Sequence, residues 1–298
     1  KEEGTMFEGV KPVTHMLGLV GDSITKSFTP PMHEMMGQAM GMGVAYRPID
    51  LAGLDVGPED LADILKWAQR LGFSGLNITA PCKQQVIPLL DELSDRAQAL
   101  QAVNTVRFED GKTIGYNTDW CGFVHSFKRN MPGAKADDIV LMGAGGAGSA
   151  VAYGMLDAGV QKLTVFEVDA PRLDALIERM DHLFGVGRAV RGTDLAASMA
   201  VADGVINATT FGMTGHQEGS CVPAELLRPE MWVADCVYIP VETRLILDAK
   251  AAGCRTLPGT GMAVEQAVEA FRIFTGVEPE SACAYDALDR LLAARNKG

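Results

Sequence analysis

One short stretch limits the folds open to this chain more than any other: Asp138-Ile-Val-Leu-Met142 runs directly into GAGGAG at 143–148 and then into a small-residue segment. A β-branched run, a glycine turn and an alanine-rich helix in that order predict a parallel β-turn-α unit. Gly143, Gly145 and Gly148 fit the G-x-G-x-x-G spacing. That spacing allows a tight turn, close backbone approach to a pyrophosphate, and helix packing against the strand, with free N–H groups facing the anion. A second strand is predicted at Leu163–Phe166 and a helix over 171–183. Glu167 closes that second strand 19 residues after Gly148, where a carboxylate accepts the ribose hydroxyls of an adenosine. The turn residues Gly143, Ala144, Gly145, Gly146, Ala147 and Gly148, with Glu167, Asp169 and Arg172, form the predicted dinucleotide cradle.

The cofactor follows from charge. A 2′-phosphate would lie beside Glu167 and Asp169, with Val168 between them and only Arg172 near. Two carboxylates against a phosphate outweigh one flexible arginine, so NAD is expected over NADP.

The same alternation continues on both sides. Strands are expected at Met16–Gly21, Tyr46–Asp50 and Gly75–Thr79, and again at Val205–Thr209, Trp232–Asp235 and Arg255–Leu257. Pro48 marks the second of these as an edge strand, because it cannot donate to a ladder. Helices are expected from Pro30, over 58–71, from Pro81 through Leu93, and over Val241–Ala252. A hairpin is expected around Glu109-Asp110-Gly111. The stretch 262–295 reads as wholly helical, with Ala263, Ala267, Ala270, Phe271 and Phe274 on one side. At 298 residues the chain suits two α/β domains, and the lack of a low-complexity linker suggests that they pack closely across a cleft.

Charge and cysteine usage remove several function classes. The net charge of −12 opposes binding to a phosphate backbone, so nucleic acid is not an expected partner. No apolar run reaches the ~18 residues of a membrane span, and KEEGTMFEGVK at the start has no apolar leader core. The six cysteines include no C-x-x-C and the five histidines no H-E-x-x-H, so no metal is expected and the thiols suit a reducing cytoplasm.

Polar residues gather where strands end. Ser27-Phe-Thr-Pro-Pro-Met-His33 follows the first strand and Asn77-Ile-Thr-Ala-Pro-Cys-Lys83 another, with Asn104-Thr105 and Asn117-Thr118-Asp119 further along. Each group alone has an ordinary role as a helix cap, a turn residue or a solvated helix residue. Four clusters beside strand ends together suit a small polyhydroxylated carboxylate. In that reading Ser27 and Thr29 bind the carboxylate, and Asn77, Thr79, Asn104 and Asp119 hold hydroxyls. Lys83 is the proton carrier and Asp119 orients it.

These residues carry a resemblance over nearly the whole chain. The sequence resembles the shikimate/quinate dehydrogenase family in S-x-[ST]-P-x-M-H at 27–33, N-[IV]-T-x-P-x-K at 77–83, AVNT at 102–105, NTD-x-x-GF at 117–123 and GAGGAG. It continues through NAT at 207–209, D-x-V-Y-x-P-x-x-T at 235–243 and G-M-x-x-x-Q at 261–266. The resemblance implies an α/β fold with an N-terminal catalytic domain (12–119 with 262–298), a Rossmann domain (120–261) and a deep interdomain cleft. It implies reversible hydride transfer between the C3 carbinol of shikimate, or of quinate, and a nicotinamide. By position, Lys83 and Asp119 are the implied catalytic pair. Ser27, Thr29, Asn77, Thr79, Asn104, Tyr238 and Gln266 are implied substrate ligands, and Thr209, Val237 and Gly261 lie on the nicotinamide side. The protein is expected in the cytoplasm, with monomer and homodimer both open.

Three departures bear on specificity. Many members carry N-R-T where Glu167-Val168-Asp169 stands, and the missing arginine agrees with NAD use. Thr29 replaces the serine of most shikimate-specific members, which leaves shikimate, quinate and an amino-shikimate analogue open. Cys82 replaces an aromatic residue or histidine before Lys83. A folate-type methylene dehydrogenase also joins a lysine site to a Rossmann half, but does not account for the clustered hydroxyl ligands. A non-catalytic metabolite sensor does not require an intact Lys83, Asp119 and glycine turn.

Overall fold

The computed structural model describes residues 14–295; the stretch KEEGTMFEGVK at 1–11 lies outside the described residues. The chain forms two compact units. Among the described residues, 14–97 with 103–116 and 270–295 make the first, and 98–102 with 117–269 make the second.

The first unit is built on a mixed six-stranded sheet. Its strands are β1 (Thr14–Gly21), β2 (Gly43–Asp50), β3 (Phe73–Ile78), β4 (Glu92–Leu93), β5 (Thr105–Glu109) and β6 (Lys112–Tyr116), in the order β2-β1-β3-β5-β6-β4. β1 runs parallel to β2 and β3, whereas β5 is antiparallel to both β3 and β6. The proline-bearing strand is an edge strand, and the Glu109-Asp110-Gly111 signal is a hairpin pairing Glu109 with Lys112. The helices are α1 (Thr29–Ala39), α2 (Leu51–Leu54), α3 (Leu61–Arg70) and α4 (Asp95–Leu100), whose last residues belong to the second unit.

Alternation along the strands sorts the apolar residues onto two faces. Val20, Leu76 and Ile78 pack with Leu61 and Leu65 of α3, while Leu17, Leu19 and Tyr46 pack with Ala270 and Phe274.

The helix expected over 81–93 is not formed. Residues 80–86 make successive turns, Ile87–Leu89 form one 3-10 turn, and Glu92–Leu93 pair as β4. Two causes act together. Pro88 has no N–H to donate within a helix. The Lys83 carbonyl, which a helix would turn toward residue 87, instead accepts from the Val103 N–H at 2.9 Å.

The second unit holds a sheet of six parallel strands in the order β12-β11-β10-β7-β8-β9: β7 (Asp138–Met142), β8 (Lys162–Phe166), β9 (Ala189–Arg191), β10 (Gly204–Asn207), β11 (Trp232–Asp235) and β12 (Arg255–Leu257). Its helices are α5 (Asp119–Asn130), α6 (Gly146–Asp157), α7 (Ala170–Phe184), α8 (Leu195–Val201) and α9 (Arg244–Ala251). Both faces are covered, as an all-parallel sheet requires. Ile139, Leu141, Ile206 and Ala234 pack with Val124, Val151 and Leu173 on one face. Val140, Val205 and Val233 pack with Met199, Leu245 and Ala249 on the other.

The C-terminal stretch is two helices, α10 (Thr260–Thr275) and α11 (Ser281–Arg295). They are separated where Gly276 takes a φ of +72° and Pro279 follows. α10 begins in the second unit and its last residues belong to the first.

Candidate functional site

In the first unit the polar clusters meet at the carboxyl ends of β1 and β3 and the start of β5. Val20 pairs with Ile78 and Asn77 with Thr105, so these three chain segments are neighbours by register. Asn77 is buried, and its Nδ2 donates to the Asn104 carbonyl at 3.2 Å and to Thr105 Oγ1 at 3.1 Å. Thr105 Oγ1 donates in turn to Asn104 Oδ1 at 3.0 Å. Asn104 is also buried, and its N–H donates to the Tyr116 carbonyl at 3.0 Å.

Thr79 follows directly, its N–H donating to the Val20 carbonyl at 2.9 Å, and its carbonyl accepts from the Cys82 N–H at 2.8 Å. That turn leaves Lys83 half-buried three residues before Val86, with its own carbonyl tied to Val103 beside Asn104. Cys82 is fully buried; desolvation, with the charge of Asp22, raises its thiol pKa. Ser27 and Thr29, both half-buried, sit at the start of α1, where Ser27 Oγ accepts from the Thr29 N–H at 3.2 Å.

The structure adds two residues to this group. Tyr46 donates its hydroxyl to Asn77 Oδ1 at 2.7 Å. His33, the last residue of the first motif, is fully buried, with Nδ1 2.9 Å from the Thr29 carbonyl and its ring centroid 5.0 Å from that of Tyr46. Burial holds its pKa down at about 4, against the lift from that carbonyl contact, so the ring is neutral near pH 7. A carbonyl cannot donate, so Nδ1 of the neutral ring carries the proton. The motif S-x-[ST]-P-x-M-H marks His33 in the sequence, but nothing local marks Tyr46.

In the second unit the glycine turn leads from β7 into α6. Gly143 has a φ of +98°, in the left-handed region that favours glycine. A Cβ at Gly148 would overlap the Gly143 carbonyl oxygen, whereas one at Gly145 or Gly146 would meet nothing within 4 Å. The turn is therefore closed on its inner side and open on its outer side, where the first N–H groups of α6 have no helical partner.

Glu167 braces this turn. Its carboxylate accepts from the N–H groups of Ala144 and Val168 at 2.8 Å each and of Asp169 at 3.1 Å. Burial works to raise its pKa, but those three donors and the nearby Arg172 outweigh it and hold the acid below its ordinary value. Asp169 caps α7 by accepting from the Arg172 N–H, and the Arg172 guanidinium lies 3.8 Å from Glu167 and 3.5 Å from Asp169. Arg172 is thus shared by both acids.

The remaining strand ends carry a second buried network. Asp235 at the end of β11 accepts from Thr243 Oγ1 at 2.6 Å, the Val237 N–H at 2.9 Å and Asn207 Nδ2 at 3.0 Å. Burial raises its pKa to about 6 in spite of these donors. Asn207 Oδ1 accepts from both the N–H and the hydroxyl of Thr209, which places Thr209 over β10 beside Gly143. Val237 is buried and Tyr238 half-buried just beyond β11. Gly261 and Gln266 lie along the first turns of α10, and Thr118 Oγ1 meets Gln266 Oε1 at 3.4 Å. Asp119 opens α5, its N–H donating to Asn117 Oδ1 at 3.0 Å, while Asn117 Nδ2 donates to the Ala102 carbonyl at 3.0 Å. Gly122 allows α5 to approach α10, since a Cβ there would stand 2.8 Å from that of Gln266.

The first unit thus gathers Ser27, Thr29, Asn77, Thr79, Lys83 and Asn104. The second gathers the glycine turn, Glu167, Asp169, Arg172, Thr209, Val237, Tyr238, Asp119, Gly261 and Gln266. The open turn, the available helix N–H groups and the braced carboxylate fit the adenosine and pyrophosphate of a dinucleotide. Among the described residues, no group of three or more His, Cys, Asp or Glu is placed to hold a metal, and no helix is long and apolar enough to cross a membrane.

Family models match the chain in two segments. Residues 19–106 match the shikimate dehydrogenase substrate binding domain, and residues 259–288 the shikimate 5′-dehydrogenase C-terminal domain. The chain is 48% identical over 270 residues to a shikimate dehydrogenase (NADP(+)) of Streptomyces avermitilis, covering 90% of this chain and 92% of that protein. It is also 48% identical over 270 residues to a quinate/shikimate dehydrogenase (NAD(+)) of Corynebacterium glutamicum strain R, covering 89% and 94%. The solved structure of quinate dehydrogenase from Corynebacterium glutamicum in complex with NAD matches with a TM-score of 0.88 at 45% identity, over 92% of this chain and 98% of that one. With a Rossmann sheet, these strand-end clusters and relatives that match along nine-tenths of its length, the chain belongs to the shikimate dehydrogenase family.

Proposed function

We propose that this protein is an NAD-dependent dehydrogenase that reversibly oxidises the C3 carbinol of shikimate, and of quinate, to the 3-dehydro product. The cofactor preference rests on one observation: the Glu167 carboxylate is fixed on the Ala144 N–H beside Asp169, and Arg172 is shared by the two acids. A 2′-phosphate there meets two negative charges and an arginine already neutralised, whereas ribose hydroxyls meet acceptors. Relatives of nearly equal similarity carry NAD and NADP in their names, so these local charges decide the reading.

In this proposal residues 12–119 with 262–298 bind substrate and residues 120–261 bind the cofactor. The turn Gly143–Gly148 holds the pyrophosphate, Glu167, Asp169 and Arg172 surround the adenosine ribose, and Thr209, Val237 and Gly261 flank the nicotinamide. Bound NAD supplies the hydride acceptor. Ser27 and Thr29 bind the substrate carboxylate; Asn77, Thr79, Asn104, Tyr238 and Gln266 hold and orient its hydroxyls. Lys83 takes the hydroxyl proton as the C–H bond breaks, and Asp119 orients the lysine and the reacting hydroxyl. Thr29, in place of the usual serine, extends the substrate range to quinate.

Initial rates at 340 nm with shikimate and with quinate, each with NAD and with NADP, test this reading. The expected result is turnover of both substrates with a clear NAD preference. A clear NADP preference contradicts the charge argument, and no turnover with any pair contradicts the activity.

A further inference from the structure

Tyr46 and Asn77 are joined across the first-unit sheet. Both lie on strands flanking β1, with Tyr46 opposite Leu17 and Asn77 opposite Leu19, so the tyrosine ring crosses the central strand to reach the amide. The polarity of that amide is determined without reference to hydrogen positions. The edge of Asn77 facing the Asn104 backbone carbonyl, 3.2 Å away, faces an atom that can only accept. That edge must be the NH2 group. Its second N–H goes to Thr105 Oγ1 at 3.1 Å, and Thr105 passes its own proton on to Asn104 Oδ1 at 3.0 Å. Oδ1 of Asn77 therefore faces the Tyr46 hydroxyl, which must donate to it, at 2.7 Å.

The tyrosine is itself immobilised. It is buried, and the His33 ring packs on it at 5.0 Å and on Phe274 at 6.1 Å. The neutral imidazole adds no charge to this apolar box.

We propose that Tyr46 is a positioning residue that fixes the carboxamide of Asn77, so that Asn77 meets the substrate only as a hydrogen-bond acceptor. Both N–H groups of Asn77 are committed to Asn104 and Thr105, and one lone pair of Oδ1 is committed to Tyr46. What remains is the second lone pair of Oδ1, which pairs with a hydroxyl and rejects a carbonyl or ether oxygen. The inference rests on the reading of Asn77 as a substrate ligand made above and adds the group that selects its polarity.

The test is a double-mutant cycle on the full chain with NAD and shikimate, using wild type, Tyr46→Phe, Asn77→Ala and the double variant. Tyr46→Phe keeps the ring against His33 and removes only the donor. The expected result is a rise of about tenfold in KM for shikimate, the scale of one buried hydrogen bond, with kcat within twofold and KM for NAD unchanged. In the Asn77→Ala background the same substitution should change KM by less than twofold. Thr105→Val, of equal shape and without the hydroxyl, should also raise the shikimate KM, which keeps the test decisive if Tyr46→Phe fails to fold. An unchanged KM in Tyr46→Phe while Asn77→Ala raises it, or an equal effect in both backgrounds, overturns the positioning role alone. Wild-type turnover with an unchanged KM in Asn77→Ala removes Asn77 as a ligand and the inference with it. No wild-type turnover of shikimate or quinate overturns the functional reading itself.

Discussion

The Glu167 carboxylate accepts a hydrogen bond from the Ala144 N–H at 2.8 Å, so the acid that follows β8 also pins the first residues of the turn after β7. A side chain held by three backbone donors does not swing aside for a competing anion. In the proposed function, the preference for a free 2′-hydroxyl rests on the same contact that shapes the turn.

Changing the charge beside that carboxylate should change the cofactor. Val168 is fully exposed between the two acids, so an arginine there has room to meet a phosphate. Asn is as good a helix cap as Asp, so Asp169→Asn removes a charge and keeps the start of α7. The pair Val168→Arg and Asp169→Asn should raise kcat/KM with NADP, relative to NAD, by about tenfold or more, the scale of one charge-assisted hydrogen bond. Parallel rate measurements with the two cofactors check this; an unaltered ratio counts against the charge argument.

Two glycines of the turn should separate stability from binding. Gly148→Ala forces a Cβ onto the Gly143 carbonyl, and should cost about 1–3 kcal/mol in urea unfolding. Gly145→Ala meets open space and an ordinary φ of −69°, so its unfolding midpoint should stay near that of wild type. KM for NAD should nevertheless rise, because in the proposed site the new methyl stands where the pyrophosphate approaches. If Gly145→Ala binds NAD like wild type, the cofactor does not lie on this turn.

Removing the amine of Lys83 should remove the proposed proton acceptor and little else. Lys83→Ala is expected to lower kcat by about 10²–10⁴ with a small change in substrate KM. Steady-state kinetics in the oxidative direction provides the measurement, and a wild-type kcat excludes the lysine from the reaction.

His33 and Asp235 make opposing contributions to acid stability. Burial lowers the pKa of His33 to about 4, below the 6.5 of an ordinary histidine. Between those values the unfolded chain binds a proton that the folded chain does not, so this contribution is present above 6.5 and is lost as pH falls through about 4. Asp235 acts the other way. Burial raises its pKa from 3.8 to about 6, so its contribution is full below 3.8 and is lost as pH rises through about 6. His33→Gln removes only the first, and should lose less stability than wild type between about pH 6.5 and pH 4. Urea midpoints across that range check it; parallel curves for the two proteins would show that His33 does not titrate as its burial dictates.

Some of this architecture was legible because its causes are local. The β7-turn-α6-β8 unit needs only a β-branched run, glycines at three positions and an acid at the next strand end, and each of those is a property of neighbouring residues. The segment after Ala80 departs from its local signal for the opposite reason. Pro81 at the head of an apolar stretch predicts a helix, but the Lys83 carbonyl bonds to Val103, twenty positions away in sequence, and Pro88 withholds a donor. Helix α5 opens at Asp119 behind Thr118 at the cap, ordinary helix-start residues that in the sequence equally suit a cluster of polar ligands.

By itself, the order of residues determined which groups stand at strand ends, the parallel character of the second sheet and the acidic corner beside the glycine turn, because strand period, turn chemistry and charge act over a few residues. Only the tertiary structure decided how those groups are committed. Tyr46 meets Asn77 because β1 inserts between their strands in one register, Asn207 meets Asp235 because β10 lies beside β11, and Gln266 meets Thr118 although 148 positions separate them. Hydrogen-bond polarity at a buried amide depends on every neighbour at once, and those neighbours come from distant parts of the chain.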